Sequence, residues 1–358
     1  MVRRLLLLVV AIGLVIAGHW LNGHFDLKVY YGATRAWLHG ADLYGFVEHG
    51  RDRDYGFTYP PFGALVMAPI AVLPWPVAAV VFDALSVAAT VVVLRLVAAP
   101  RQRDALVLAG LLVLAFAFDP WRTTYNYGQI NLILLALVTV DLLLLVDRRR
   151  SAGALIGVAA AVKLVPLIFI GYLLLTRRFR AAATAAGTFG LATLLMVAVA
   201  PGASWTFWTS AIWQGDRIGD PAFVSNQSLY GLISRYNGSP IAWAGLVLLV
   251  LGGWGWAVLR RRDPAFGLAV TGVVAGLVSP ITWVHHLVWL IPALALLARW
   301  RWPAALAAAL AYAVLCSRVV WHIGRLADAY LLVAVGLLVV LLVCGPRDSG
   351  RPAAPAHG

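Results

Sequence analysis

Asp26, Lys163 and the adjacent pair His285–His286 are the residues whose type and setting could do chemistry in this chain. Asp26 lies in the run HWLNGHFDLKVYYGATRAWLHGADLYGFVEHGRDRDYGFTYPP (19–61), directly after the first hydrophobic segment of a chain that is 62% hydrophobic and 12% charged. Ionisable residues at a membrane boundary are costly, so such a cluster marks a functional site. A carboxylate there can take a proton as a general base, or it can cap the helix that follows, a role Asp also favours. Lys163 interrupts an apolar segment close to Pro166. It could stabilise an anion at membrane depth or snorkel to the interface. His285 and His286 follow a Ser-Pro break between apolar segments, flanked by Trp283 and Trp289. They read as site residues or as members of an interfacial aromatic belt. Nothing near them supplies a third metal ligand. Asp52 and Asp54 form an Asp-x-Asp between Arg51 and Arg53, which reads as a loop salt-bridge cluster. No metal and no cofactor are expected.

The elements that must hold these residues are membrane helices. Mean hydropathy is +0.86, and apolar runs near the ~20 residues that cross a bilayer recur to the end of the chain. The net charge of +13 resides in arginines grouped between apolar runs, at 3–4, 148–150, 177–180, 260–262 and 299–301. That is the positive-inside pattern, with these clusters cytoplasmic, and it argues against a nucleic-acid partner. Two cysteines in or near apolar segments imply no disulfide framework. The expected fold is an all-α integral membrane bundle of roughly 10–13 membrane segments, one polytopic domain over 1–346, with an uncleaved first helix. Its large external loops are 19–61 and 201–240, and 347–358 is expected to be a disordered cytoplasmic tail. In the first loop Lys28, Arg35 and His39 fall on one helical face and Leu27, Tyr30, Thr34 and Leu38 on the other, which predicts an interfacial helix. Two stretches defy simple alternation. If 62–73 and 77–98 both cross, Arg101 and Arg103 are left outside. If 153–175 crosses once, one of its basic flanks is outside, whereas two half-helices meeting near Lys163 keep both inside. Broken helices and intramembrane charge also occur in transporters and lipid flippases, the alternative reading. The chain has no internal repeat to support it.

Six motifs in order, DLKVYYGATRAWLHGADLY, TYPPFGALVMAPIAVLP, YGQINLILLALVTVDLLL, GVAAAVKLVPLIFIGYLLLTRRFR, SNQSLYGLISR and SPITWVHHLVWLIPAL, resemble one family. It is the polyprenol-phosphate-mannose-dependent α-1,2-mannosyltransferases of actinobacteria, in glycosyltransferase family 87 of the GT-C superfamily. The similarity runs from about Asp26 to Ala298. It implies a GT-C-like helical bundle in the cell membrane and an active site on the extracytoplasmic side. It also implies a polyprenyl-phosphate-mannose donor, a glycolipid or glycan acceptor, and contact with membrane lipids. Enzymes of this superfamily carry an acidic residue in the first external loop, and Asp26 matches that position. Transfer from a β-linked mannosyl phosphate to an α-linked product inverts C1, so one carboxylate suffices as base and phosphate leaves without an acid. Lys163 and His285 or His286 are then expected on the donor phosphate. Tyr30, Tyr59, Gln129, Asn131, Asn226, Gln227 and Arg235 are candidates for substrate contacts, amides being good partners for sugar hydroxyls.

Overall fold

A computed structural model describes residues 2–21, 23–50, 54–98, 104–214, 219–318 and 323–344. The expected tail at 347–358, together with Arg51, Asp52, Arg53, Arg101 and Arg103, lies outside the described residues. The chain is a multi-pass helical bundle. With no water in a bilayer core, the backbone must satisfy itself, and helices do so. Three helices are long and apolar enough to cross by length and composition: Trp75–Val97, Phe179–Val199 and Pro240–Arg260. A fourth span arises if Ala105–Ala117 and Asp119–Tyr127, bent by 80°, are counted together. Shorter apolar helices of 10–17 residues fill the rest. Many starts are written in the sequence. Asp104, Ser239 and Asp263 accept hydrogen bonds from the first-turn amides of the helices they precede, and Pro240 and Pro264 occupy the opening turns.

The arginine clusters gather at one end. Arg3 at the start of α1 (Val2–Leu21) pairs with Asp104, 3.0 Å away, at the start of α5 (Ala105–Ala117). Arg299 donates to the Val97 carbonyl at the end of α4 (Trp75–Val97) at 2.8 Å. Arg261, after α13 (Pro240–Arg260), donates to the Leu341 carbonyl at 2.6 Å. α2 (Phe25–Leu38) and α3 (Pro61–Ala71) lie at the other end, packed on each other. Tyr31 donates to the Leu73 carbonyl at 2.8 Å and Arg35 to that of Ala71 at 3.3 Å. The 11 residues of α3 rise only about 16 Å, half of a ~30 Å hydrocarbon core. It therefore does not cross, and α4 alone returns the chain to the basic end. The interfacial helix buries Leu27, Val29, Tyr30, Ala33 and Thr34, while Leu38 is exposed. The first loop is not wholly helical, since Val47–His49 and Asp54–Gly56 pair as an antiparallel hairpin.

The stretch 153–175 is a re-entrant hairpin. α7 (Asn131–Val140) continues into a π-helical turn, Asp141–Leu145, and buried Asp141 accepts from the amides of Gly153 and Ile156 at 2.7 and 2.9 Å. This starts α8 (Ala154–Val162). Gly153 has φ +98°, and a Cβ there would strike the Ala181 carbonyl, so only glycine fits. At Lys163 the backbone becomes extended (φ −151°, ψ 130°) and turns back through a 3₁₀ turn, Val165–Leu167, into α9 (Ile168–Leu175). Both flanks end side by side: Arg178 pairs with Asp147 at 3.1 Å, and Arg180 donates to the Arg149 carbonyl at 3.0 Å. Single cysteines at Ser151 and Arg177, in a chain whose Cys316 and Cys344 are replaced by serine, are expected to react with an impermeant maleimide from the same face. Labelling from opposite faces would mean a crossing.

Candidate active site

The tip of the re-entrant hairpin meets the polar end of the bundle. His24, in the left-handed region at φ 46°, precedes α2. Its backbone amide donates to the Asn126 carbonyl at 3.0 Å, and its ring bonds both oxygens of buried Asp83 on α4 at 3.0 Å. α6 (Asp119–Tyr127) ends at Gly128 (φ +66°), where a Cβ would run into Leu27. That close approach sets Gln129 beside Asp26. Asp26 lies within the first turn of α2 and is not its cap, which is the position of His24.

Gln129 is the hub. Its Nε2 donates to Asp26 Oδ2 at 2.6 Å and to the Tyr30 hydroxyl at 2.8 Å, while its Oε1 accepts from the Tyr59 hydroxyl at 2.7 Å. This amide orientation is the one that gives the carboxylate a donor. Because the Tyr59 proton goes to Gln129, the 2.7 Å bond between the phenols runs from Tyr30 to Tyr59. The two rings stack with centroids 4.7 Å apart. Tyr59 then accepts from Lys163 Nζ at 3.3 Å. Lys163 also donates to Asn131 Oδ1 at 2.8 Å and contacts His286 Nε2 at 3.1 Å. Three ammonium protons thus have three acceptors, which requires His286 to carry its proton on Nδ1. Burial pushes the Asp26 carboxyl up to about 6, against the Gln129 hydrogen bond and the Lys163 charge, which pull it down. Asp26 Oδ1 receives no hydrogen bond from the described residues. The site therefore holds a proton acceptor with one oxygen free of hydrogen bonds, linked through an amide and two phenols to half-buried Lys163.

His285 and His286 separate because Val284–Leu290 is 3₁₀, where neighbours diverge by about 120°. Only the His286 ring reaches Lys163. The His285 carbonyl accepts from Thr124 at 2.6 Å and Asn131 at 3.2 Å, and its ring packs edge-on against Tyr127. Of the two expected alternatives, His286 is the one whose ring contacts the ammonium, and the His285 ring lies edge-on against that of His286 with centroids 4.5 Å apart. Beyond Lys163, Asn131 and His286 lies a narrow gap of about 10 Å³, walled by Pro166, Gly276 and Trp289.

A model described as Glycosyltransferase family 87 matches residues 57–280. The chain belongs to glycosyltransferase family 87. The match contains Tyr59, Gln129, Asn131 and Lys163, while Asp26, Tyr30, His285 and His286 flank it. The chain is 34% identical over 304 residues to the polyprenol-phosphate-mannose-dependent alpha-(1-2)-phosphatidylinositol mannoside mannosyltransferase of Mycobacterium tuberculosis (strain H37Rv), covering 77% of this chain and 70% of that protein. To the corresponding pentamannoside mannosyltransferase of M. tuberculosis (strain CDC 1551) it is 33% identical over 305 residues, 80% and 70% of the two chains. Among solved structures it is similar to ArnT from Cupriavidus metallidurans bound to undecaprenyl phosphate, at 17% identity and a TM-score of 0.47, over 94% of this chain and 76% of that one. Family membership makes the chain an enzyme, a glycosyltransferase, and removes the transporter reading.

Three expected contacts of this family 87 glycosyltransferase lie elsewhere. Asn226 is fully buried, donating to the carbonyls of Pro221 and Pro280 and accepting from the Thr282 amide at 2.8 Å. Gln227 donates to the Val224 and Ala327 carbonyls and accepts from the Leu331 amide. Arg235 pairs with Asp328 and donates to the Asn226 carbonyl at 2.9 Å. All three hold the outer loops together, with the amides of Asn226 and Gln227 bonded on both sides and Arg235 paired with Asp328. Asp54 pairs with His49 at the exposed hairpin. Sequence reasoning overlooked Asp83 and Asp141, both fully buried. Each is an acid inside an apolar segment, the signal that could have found them.

Proposed function

We propose that this glycosyltransferase moves mannose from a polyprenyl-phosphate-mannose donor, in α-1,2 linkage and with inversion, to a lipid-linked acceptor on the extracytoplasmic face of the cell membrane. The observation that carries the reading is the single network joining Asp26, with its open Oδ1, to Lys163. The acceptor hydroxyl gives its proton to Oδ1 as its oxygen bonds C1. The C1–O bond to phosphate breaks on the opposite face of the sugar, and the phosphate leaves with the bonding electrons. Lys163, steadied by Asn131 and His286, stabilises that developing charge. Tyr30 and Tyr59 hold the distance between base and cation. The donor's isoprenoid chain lies in the bilayer along the apolar outside of the bundle, where its burial adds affinity. Arginine clusters gathered at the far end support the sidedness, since basic loops stay in the cytoplasm. Relatives named for the same donor and linkage support the chemistry.

The test is transfer of labelled mannose from polyprenyl-phosphate mannose to phosphatidylinositol mannoside by the purified protein, with linkage analysis of the product. An α-1,2-mannosyl product is expected. A clear preference for a different sugar on the same carrier overturns the assignment. As the base must be ionised, kcat/KM is expected to fall as pH drops through about 6, the value of the carboxyl. Gln129→Ala removes a hydrogen bond that favours the charged form, so its acid limb moves to higher pH. An unmoved limb would mean that Gln129 does not tune the base.

A further inference from the structure

A second charged cluster flanks the site on α6. Asp119, fully buried, accepts on Oδ1 from Arg122 at 2.9 Å, Thr123 at 3.3 Å and Arg318 at 2.9 Å, and on Oδ2 from Tyr330 at 3.2 Å. Two guanidiniums share one carboxylate, which leaves one positive charge uncompensated. That charge faces outward: the Arg122 side chain is 22% exposed and that of Arg318 45%. Arg318 is held in place from a left-handed backbone (φ 57°), a region disfavoured for a residue with a Cβ. Asp119 engages its Nε, and its terminal nitrogens make no hydrogen bond to the described residues. The mechanism above uses none of these residues. Yet the cluster adjoins the site, because Tyr127, one end of the same helix, packs on His285 with ring centroids 5.8 Å apart and lies within electrostatic reach of both Asp26 and Arg318.

We propose that Arg318, supported by Arg122, holds the phosphodiester of an anionic glycolipid acceptor. The proposal rests on the proposed mannosyl transfer to a lipid-linked acceptor. Guanidinium suits phosphate because its planar fork bonds two oxygens at once. From Asp119 to Tyr127 α6 rises about 12 Å, so sugar residues fit between a phosphate at Arg318 and a hydroxyl at Asp26. A lipid anchored by its phosphate at the membrane surface would thus present its glycan, not its headgroup, to the base.

The experiment compares phosphatidylinositol mannoside with uncharged octyl α-mannoside as acceptors, each with the same polyprenyl-phosphate-mannose donor. For Arg318→Gln the ratio of kcat/KM on the anionic to the neutral acceptor is expected to fall about tenfold, through acceptor KM. Arg318→Lys, which keeps the charge without the fork, is expected to retain part of the preference. An unchanged ratio in Arg318→Gln overturns the proposal. So does a raised donor KM with both acceptors, which would assign Arg318 to the donor phosphate. If the wild-type protein transfers mannose to neither acceptor, the proposed mannosyl transfer fails and this proposal fails with it.

Discussion

Asp26→Asn is expected to lower the rate of transfer by roughly 100- to 10,000-fold, the range for removing a general base, without unfolding the protein. The acceptor hydroxyl is a poor nucleophile until its proton has somewhere to go, and Oδ1 of Asp26 is the open acceptor at the end of the network. The amide preserves the side chain's size and can still accept from Gln129. Helix α2 loses no cap, since that position belongs to His24. Nor is there an electrostatic reason for destabilisation. Burial already disfavours the charged carboxylate, as its rise to about 6 records, so a neutral group fits that environment at least as well. Donor binding should persist, because the groups assigned to the phosphate lie across the Tyr30–Tyr59 pair. A folded variant with intact donor affinity and wild-type turnover would remove Asp26 from the mechanism.

Lys163→Met should be nearly as damaging, by a different route. Methionine matches the length and apolar character of the stem but has no ammonium. Losing one preorganised cation at a developing anion costs about 100- to 1,000-fold in turnover, and here affinity for the ground-state phosphate is lost as well, so kcat falls and donor KM rises together. A second signature separates this from simple damage to the hairpin. The Lys163 charge holds the Asp26 carboxyl down, so the acid limb of the pH profile moves upward in the variant. Lys163→Arg restores charge while misplacing it relative to Asn131 and His286, and should recover the pH profile more fully than the rate. A Lys163→Met enzyme with unaltered donor KM would place the phosphate elsewhere.

The parts of this site that were legible in the sequence are those where one residue violates its surroundings. Asp26 in a polar run after an apolar helix, Lys163 beside Pro166 in an apolar segment, and two histidines after Ser279–Pro280 each announce themselves locally. Their mutual arrangement does not. Gln129 reaches Asp26 across 103 positions and Lys163 reaches His286 across 123, contacts that exist only once α6, the hairpin tip and the 3₁₀ turn at Val284 are packed. Composition also misleads where chemistry is shared. Asn226 and Gln227 carry the same amides as Gln129 and Asn131, but the loop around them consumes every donor and acceptor. His285 and His286 were indistinguishable until the tighter 3₁₀ turn pointed one ring at Lys163 and the other at Tyr127. The fold shows the same divide. Charge clusters foretold a basic end, while the failure of α3 to cross and the return at Lys163 depend on packing against α2 and on the cap from Asp141.

The measurement that tests the assignment of the base most directly is azide rescue of Asp26→Ala with the polyprenyl-phosphate-mannose donor. Azide attacks C1 without a proton to lose, so the C1–N bond forms and the phosphate departs with no base required. If Asp26 is the base, the variant should make almost no glycolipid but should form mannosyl azide with inverted configuration at C1, at a rate that rises with azide concentration. A folded, donor-binding Asp26→Ala protein that yields no mannosyl azide, or that still mannosylates the lipid acceptor at the wild-type rate, would contradict it.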